Sequence, residues 1–351
     1  MRSGLRVALR RVAAALVVTI TAGIVVLALA QRSARDDLHW LELSRYLPYY
    51  WLAVPAAVGL GLSVWLGRRW IAVGVAAPLV LATVTMAPAW STREAGAYSA
   101  DGTRTLRLMT YNAKAGSAAQ RADGILAIGA EVARHDPDIL VMQDADGLLV
   151  ERSDPALSGQ VSVFGLPHVY ALGQYVVLSR LPLQGCTVGN IDYRDESHRY
   201  LRCNFDLHGV ALTVVTAHFK SPRSGLRATR SQGVDGADEW QQNFEDRLAQ
   251  SRALARDLAK LSGPLIVAGD LNASEASPVV QNLLATGLRD AFSAAGRGYG
   301  YTYGQSMRAG LSFLRIDHIL VSPDIAVADC FAGGDQASEH RPVIADLSIR
   351  R

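Results

Sequence analysis

Residues 264–272 read Pro264-Leu265-Ile266-Val267-Ala268-Gly269-Asp270-Leu271-Asn272. The apolar run Leu265–Ala268 is too short for a helix and reads as a fully buried strand. A carboxylate and a carboxamide follow at once, so this strand delivers polar groups to a sheet edge. The same figure recurs along the chain. Leu106–Met109 runs into Thr110-Tyr111-Asn112, and Ile139–Met142 runs into Gln143-Asp144. The alternating strand Ala211–His218 ends on His218. Arg315-Ile316-Asp317-His318 opens the strand Ile316–Val321, and Ser338-Glu339-His340-Arg341 precedes the last one, Pro342–Ser348. Strands that share a sheet would converge these clusters on one rim.

Two more strands are expected at Tyr175–Ser179 and Cys203–Leu207. Helices are expected over Asp123–Arg134, with Ile125, Ile128 and Val132 on one side, and over Phe244–Leu261, with Leu248, Leu254 and Leu258. Most strands do not alternate with helices. That pattern argues for an α+β domain, with sheets packed face to face and helices outside. The polar, Arg- and Gly-rich stretch Ser221–Asp246 reads as a functional loop. No internal repeat or low-complexity segment interrupts the domain.

Carboxylates and carboxamides supply oxygen ligands for a hard cation, and histidines supply proton transfer. In-line attack on a phosphoryl group needs both, since charge grows on its oxygens while water must be positioned. Each residue taken singly has an ordinary structural explanation, such as a turn aspartate, a core histidine or a salt-bridge partner. The ordered set does not.

The series Asn112, Gln143-Asp144, His218, Gly-Asp270-Leu-Asn272, Ile-Asp317-His and Ser-Glu339-His340 resembles the endonuclease/exonuclease/phosphatase family. Tyr175-Val-Val-Leu-Ser-Arg180-Leu-Pro is similar to another of its strands. The resemblance covers the chain from about Leu106 onward. It implies a four-layered αββα sandwich with its site at one rim, and a Mg2+ cofactor with Mn2+ as the alternative. It makes Asp144 the principal metal carboxylate, with Asn112 and Glu339 in the same set. Asp270 and Asn272 would position or deprotonate the attacking water. His340, oriented by Asp317, and His218 would be the acid–base or phosphate-contacting groups. Two residues depart from the family pattern, which has Glu at position 144 and Asp at position 339. The exchange keeps the charge and shifts each carboxylate by roughly 1.5 Å, one C–C bond. Lys220, Arg223, Arg227 and Arg230 would bind further phosphate or form a solvated basic loop; His168, His198, His208 and His318 are expected to be structural or surface residues.

The N-terminal part is of another kind. Residues 12–30, 46–67 and 70–90 are uncharged runs of about 20 residues, the length of a membrane-spanning helix. Trp40, Trp51, Trp65, Trp70 and Trp90 lie near their ends, and Pro48, Pro55, Pro78 and Pro88 are tolerable in such helices. Arg2, Arg6, Arg10 and Arg11 precede the first span, and Arg68 and Arg69 separate the second from the third. The positive-inside rule then puts the N-terminus in the cytoplasm and the C-terminal domain outside. Ala28-Leu29-Ala30 before Gln31 also resembles a signal-peptide cleavage site, and cleavage would leave the domain outside as well. The expected organisation is a three-helix anchor at 1–90, a linker at 91–104 and a catalytic domain at 105–351.

The net charge of +3, with lysine only at 114, 220 and 260, does not mark a nucleic-acid binder. Cys186, Cys203 and Cys330 show no metal-ligand spacing. They read either as small buried hydrophobes or, for Cys186 and Cys203, as a disulfide between neighbouring strands in an oxidising compartment.

The expected protein is therefore a multi-pass protein of a bacterial cytoplasmic membrane with an extracytoplasmic phosphoesterase domain. Its anchor arrangement is similar to that of membrane-bound family members linked to glycopeptide resistance, which resemble lipid pyrophosphate phosphatases. The expected partners are the bilayer and a phosphorylated lipid or envelope substrate such as undecaprenyl pyrophosphate, with no obligate protein partner. The alternatives are an extracytoplasmic nuclease and a membrane-tethered binding module with weakened catalysis.

Overall fold

The computed structural model describes residues 2–33, 35–91, 103–121, 123–146, 148, 164–307 and 310–350. The chain divides into two units, Met1–Pro88 and Ala89–Arg351. In the first, the uncharged runs become α1 (Arg2–Gln31), α3 (Tyr49–Leu66) and α4 (Arg68–Val80), with the short α2 (His39–Ser44) between α1 and α3. Gly4–Gln31, Tyr49–Leu66 and Arg68–Thr85 are each long and apolar enough to cross a membrane. Small residues let these helices pack, around Ala13, Val17 and Leu66 and around Ile24, Ala56 and Ala77. The buried Glu42 carboxylate is satisfied by Arg45 at 2.7 Å and by the Tyr46 hydroxyl at 3.3 Å.

The third run ends sooner than its hydropathy suggests. The helix closes in a π turn, Leu81–Thr85. Ala87 then leaves the right-handed region with φ 42°, and Pro88 has no N–H with which to continue the ladder. Trp90 is therefore no helix-end anchor. It lies in β1 (Ala89–Trp90), within the second unit. Most of the expected linker, residues 92–102, lies outside the described residues, and its end at Thr103–Arg104 is already strand.

The second unit continues with β2 (Thr103–Asn112), α5 (Ala115–Ala118), α6 (Gly124–His135), β3 (Ile139–Gln143), β4 (His168–Leu172) and β5 (Tyr175–Ser179). A meander follows: β6 (Leu183–Asn190), β7 (Arg199–Leu207) and β8 (Val210–His218). Then come α7 (Arg223–Gln232), α8 (Ala237–Leu258), β9 (Leu265–Asp270), α9 (Pro278–Leu284), β10 (Arg289–Asp290) and α10 (Ala291–Ala295). The chain closes with β11 (Arg297–Gly298), which pairs with β1, and with β12 (Asp317–Val321), β13 (Ile325–Ala332) and β14 (Val343–Arg350). The expected loop at Ser221–Asp246 is thus mostly helix. Its glycines allow this, because a Cβ on Gly225 would lie 3.0 Å from Trp240 Cα and one on Gly236 would lie 2.3 Å from the Ala228 carbonyl carbon.

Among the described residues two six-stranded sheets form, in the orders β13-β14-β2-β3-β5-β4 and β10-β12-β9-β8-β7-β6. Alternation along the strands sorts their side chains into layers. Leu106, Leu108, Ile139, Val141, Tyr175 and Val177 face Phe205, Leu212, Val214, Ile266, Ala268 and Ile319 of the opposite sheet. The outer face of the first sheet packs on α6 through Ile128 and Val132. That of the second packs on α8 and α9 through Leu254, Leu258, Val280 and Leu283. The architecture is the expected α+β sandwich of four layers. Cys186 and Cys203 are register partners on β6 and β7 and are joined by a disulfide, while Cys330 is free and buried.

Candidate active site

The period of two that builds the core also builds the site. On β2 the inward positions run Leu106, Leu108, Thr110, Asn112; on β3 they run Ile139, Val141, Gln143. On β8 they run Leu212, Val214, Thr216, His218, and on β9 Ile266, Ala268, Asp270. Antiparallel β12 runs the other way and starts on Asp317 before Ile319 and Val321. Each strand therefore turns from apolar to polar at the same end. Register completes the alignment, pairing Asn112 with Gln143, and Asp270 with both His218 and Asp317. Gln143 sits one layer below the rim. Its amide donates to Thr216 Oγ1 at 2.8 Å and Thr110 Oγ1 at 3.0 Å, which ties the two sheets together and leaves it structural.

Asp270 is the hub of the cluster. Its Oδ2 accepts from Asn112 Nδ2 at 2.8 Å, and its Oδ1 accepts from the Asn272 amide at 2.9 Å. His218 Nε2 and His340 Nε2 lie 3.5 and 3.8 Å from Asp270 Oδ2. Asn272 has a left-handed backbone, and its side chain donates to the Phe219 carbonyl at 2.9 Å. The preceding Gly269 is required by close approach, because a Cβ there would lie 2.0 Å from the Ala217 carbonyl oxygen. Beneath this turn the buried Arg247 of α8 donates to the Asn272 carbonyl at 3.1 Å.

The two imidazoles are set apart electrostatically. Burial pushes the pKa of His218 down to about 4, and Asp270 opposes this only in part. Gln174 Oε1 lies 2.6 Å from His218 Nδ1 and Asp270 Oδ2 lies 3.5 Å from its Nε2, so both ring nitrogens face acceptor oxygens. Burial also acts to lower His340, but there the charges of Asp317 and Asp270 win and raise its pKa above the ordinary histidine value. His340 Nδ1 lies 2.9 Å from Asp317 Oδ2. One rim thus holds a neutral imidazole and one biased toward the charged form.

The remaining expected residues line the mouth. Asp144, with a left-handed backbone, is bonded by the Lys114 ammonium. Burial acts to raise the Asp144 pKa, yet the hydrogen bond and charge of Lys114 outweigh it and the net shift is downward. Glu339 faces Ser117 Oγ at 3.5 Å and the Arg223 guanidinium at 3.4 Å. Arg223 also donates to the Tyr303 hydroxyl at 3.2 Å, and the Tyr303 ring lies 4.8 Å from that of His340. Lys220 is employed elsewhere. Its ammonium lies 2.8 Å from the buried Asp246 and 4.6 Å from the centre of the Tyr193 ring. Asp246 is also paired with Arg194, so the Lys220 ammonium is directed at that buried ion pair and not at the cluster around Asp270.

Four residues at the site escaped the sequence reading. Lys114, two positions past Asn112, was a lone cation beside a motif. Tyr175, whose hydroxyl accepts from the His218 amide at 3.0 Å, opened a motif that was read only as a strand. Gln174 and Tyr303 carried no local signal.

The donor set suits a divalent cation. Asp270, Asp317 and His340 each offer one ligand atom, and these atoms lie within 4.8 Å of one another. Asp317 Oδ1 is buried without a hydrogen-bond partner among the described residues. An unsatisfied buried carboxylate oxygen is costly, and a cation would satisfy it. Asp144, Asn112 and Glu339 add oxygen donors at the mouth.

No curated protein matches this chain. Among solved structures, an endonuclease/exonuclease/phosphatase family protein from Bacteroides thetaiotaomicron superposes with TM-score 0.53 at 15% identity, covering 70% of this chain and 98% of its own. A mannosyl-6-phosphatase from the same organism gives TM-score 0.52 at 16% identity, with 69% and 99% covered. Truncated TDP2 from Caenorhabditis elegans gives TM-score 0.50 at 18% identity, with 69% and 97% covered. These likenesses show the fold. The model of the Endonuclease/Exonuclease/phosphatase family matches residues 109–340, from the middle of β2 to the last residue of the rim. That span is well over half of the chain, so the chain belongs to the endonuclease/exonuclease/phosphatase family and is a metal-dependent hydrolase of phosphate esters or anhydrides.

Proposed function

We propose that this enzyme hydrolyses a phosphate ester or anhydride on a lipid or envelope substrate, such as undecaprenyl pyrophosphate, at the extracytoplasmic face of a bacterial cytoplasmic membrane. The fold does not choose the substrate, as the names of its structural neighbours illustrate. The observation that carries the reading is the joining of this rim, in one chain, to three helices long and apolar enough to cross a membrane. The arginine distribution supports an outward domain. The Cys186–Cys203 disulfide supports an oxidising compartment.

In this reading His340, held by Asp317, binds the reacting phosphate and supplies a proton to the leaving oxygen. Asp270 and Asn272 orient the attacking water, with Asp270 as the proton acceptor. His218, as the neutral tautomer protonated at Nε2, donates to a phosphate oxygen, and Arg223 meets the substrate at the mouth. Asp144, Asn112 and Glu339 would hold Mg2+, which when bound offsets charge on the phosphate oxygens; Asp270, Asp317 and His340, close enough to share a cation, are in this reading kept for orienting water and moving protons.

The test is a Mg2+-dependent phosphate-release screen on the detergent-solubilised full chain, with Asp270→Asn as the blank. Isoprenyl pyrophosphates, phospholipids, inositol phosphates and oligonucleotides are the substrates. Preference for a lipid phosphate is the expected result. Cleavage of single-stranded DNA at a matching rate would replace the lipid reading with a nuclease.

A further inference from the structure

Helix α7 carries the sequence Arg223-Ser-Gly-Leu-Arg-Ala-Thr-Arg-Ser-Gln232, with no acidic residue. It buries Gly225 and Ala228 and exposes Arg223, Arg227 and Arg230. Those three are spaced i, i+4 and i+7, so they form one stripe about 10 Å long. Arg223 meets Glu339 and Tyr303 at the catalytic mouth, so the stripe begins at the site and runs away from it. Arg227 and Arg230 make no ion pair among the described residues. Just beyond the helix Val234 is 81% exposed.

Exposed aliphatic side chains also follow Tyr303 in the chain. From Tyr303 the chain runs out into a loop that closes where Phe313 and Leu314 pair back with Tyr303. Met307 and Leu311 on this loop are 46% and 48% exposed. A single exposed aliphatic side chain needs no explanation. Two of them close to the catalytic mouth in sequence, with a third just past the far end of the arginine stripe that starts there, call for one.

We infer that this rim docks onto an anionic phospholipid surface. Guanidinia strung over about 10 Å of one helix face can engage several phosphates at once, as headgroups spread over a plane present them. Aliphatic tips gain nothing from a soluble anion and gain burial among acyl chains. They also offer no stacking faces, which a single-stranded nucleic acid would require. Docking would bring the mouth to headgroup level, where a membrane-borne phosphate is presented. The inference rests on the reading that the domain works at a membrane, and it is testable without turnover.

The experiment uses the full chain reconstituted in phosphatidylcholine nanodiscs with and without phosphatidylglycerol. A polarity-sensitive dye is attached through Val234→Cys, since Cys186 and Cys203 are bridged and Cys330 is buried. Spin-labelled lipid is expected to quench the dye when phosphatidylglycerol is present. Arg227→Gln and Arg230→Gln should each lower the docked-to-free ratio on the order of fivefold, and Arg227→Lys should restore it, which separates lost charge from lost fold. Quenching that ignores phosphatidylglycerol, or that survives both glutamine substitutions, overturns the inference. So does an oligonucleotide that displaces the dye from lipid. Absence of phosphate release would count against the proposed reaction and leave this result standing.

Discussion

His340 presents Nδ1 to Asp317 Oδ2 at 2.9 Å and turns Nε2 toward Asp270, 3.8 Å away. The imidazole is thus held between two carboxylates on neighbouring strands, β9 and β12, whose register places Asp270 opposite Asp317. The pair explains why a buried histidine keeps its proton here while His218, on the other side of Asp270, loses it.

Asp317→Asn removes one of those charges and should let the His340 pKa fall. The basic limb of the kcat profile then moves to lower pH, and kcat drops by about 10²-fold, the low end for a general acid–base group. Stability follows the same linkage. A raised histidine pKa contributes stability that is fully present below the unfolded value of 6.5 and is lost as pH rises through the folded value. Asp317→Asn should therefore cost more stability at pH 6 than at pH 9, measured by calorimetry on the solubilised chain. An equal cost at both pH values would contradict the pairing.

Lys114 and a metal ion would compete for the same carboxylate, since the Lys114 ammonium is bonded to Asp144. Lys114→Met should lower the half-saturating Mg2+ concentration on the order of fivefold, the scale of a partly exposed ion pair. Titration calorimetry with Mg2+ reads this directly. An unchanged affinity would show that Asp144 is not a metal ligand.

The Cys186–Cys203 bridge closes a sequence separation of 17 residues, which constrains the unfolded chain by about 3 kcal/mol. Replacing both cysteines by alanine should lower Tm by roughly 6–12 °C for a domain of this size. The loss should be matched by strong reductant on the native chain. No shift with either treatment would mean the two thiols are not bridged.

What a linear sequence reveals of this fold and site follows from the range of each force. Strand interiors such as Ile139–Gln143 and Tyr175–Ser179 were readable to the residue, because burial on both faces leaves an unbroken apolar run. The apolar helices are readable from uncharged runs of about 20 residues, although the third run misleads at its end, where Ala87 and Pro88 break the helix inside an apolar sequence. The sequence of α7 reads as loop because a short helix rich in Arg, Ser and Gly gains its stability from packing on Trp240.

Within the site, the identity and order of Asn112, Asp144, His218, Asp270, Asp317, Glu339 and His340 lay in the linear chain, because each ends or flanks an apolar strand. Tertiary structure alone decided what each residue meets. Sheet register set Asp270 beside His218 and opposite Asp317, which holds His340, and the differing neighbouring charges drove the protonation of the two histidines apart. It also withdrew Lys220 to a buried aspartate and supplied Lys114, Gln174 and Tyr303. Local sequence encodes period and polarity, whereas hydrogen bonds and desolvation act between segments that only the folded chain brings together.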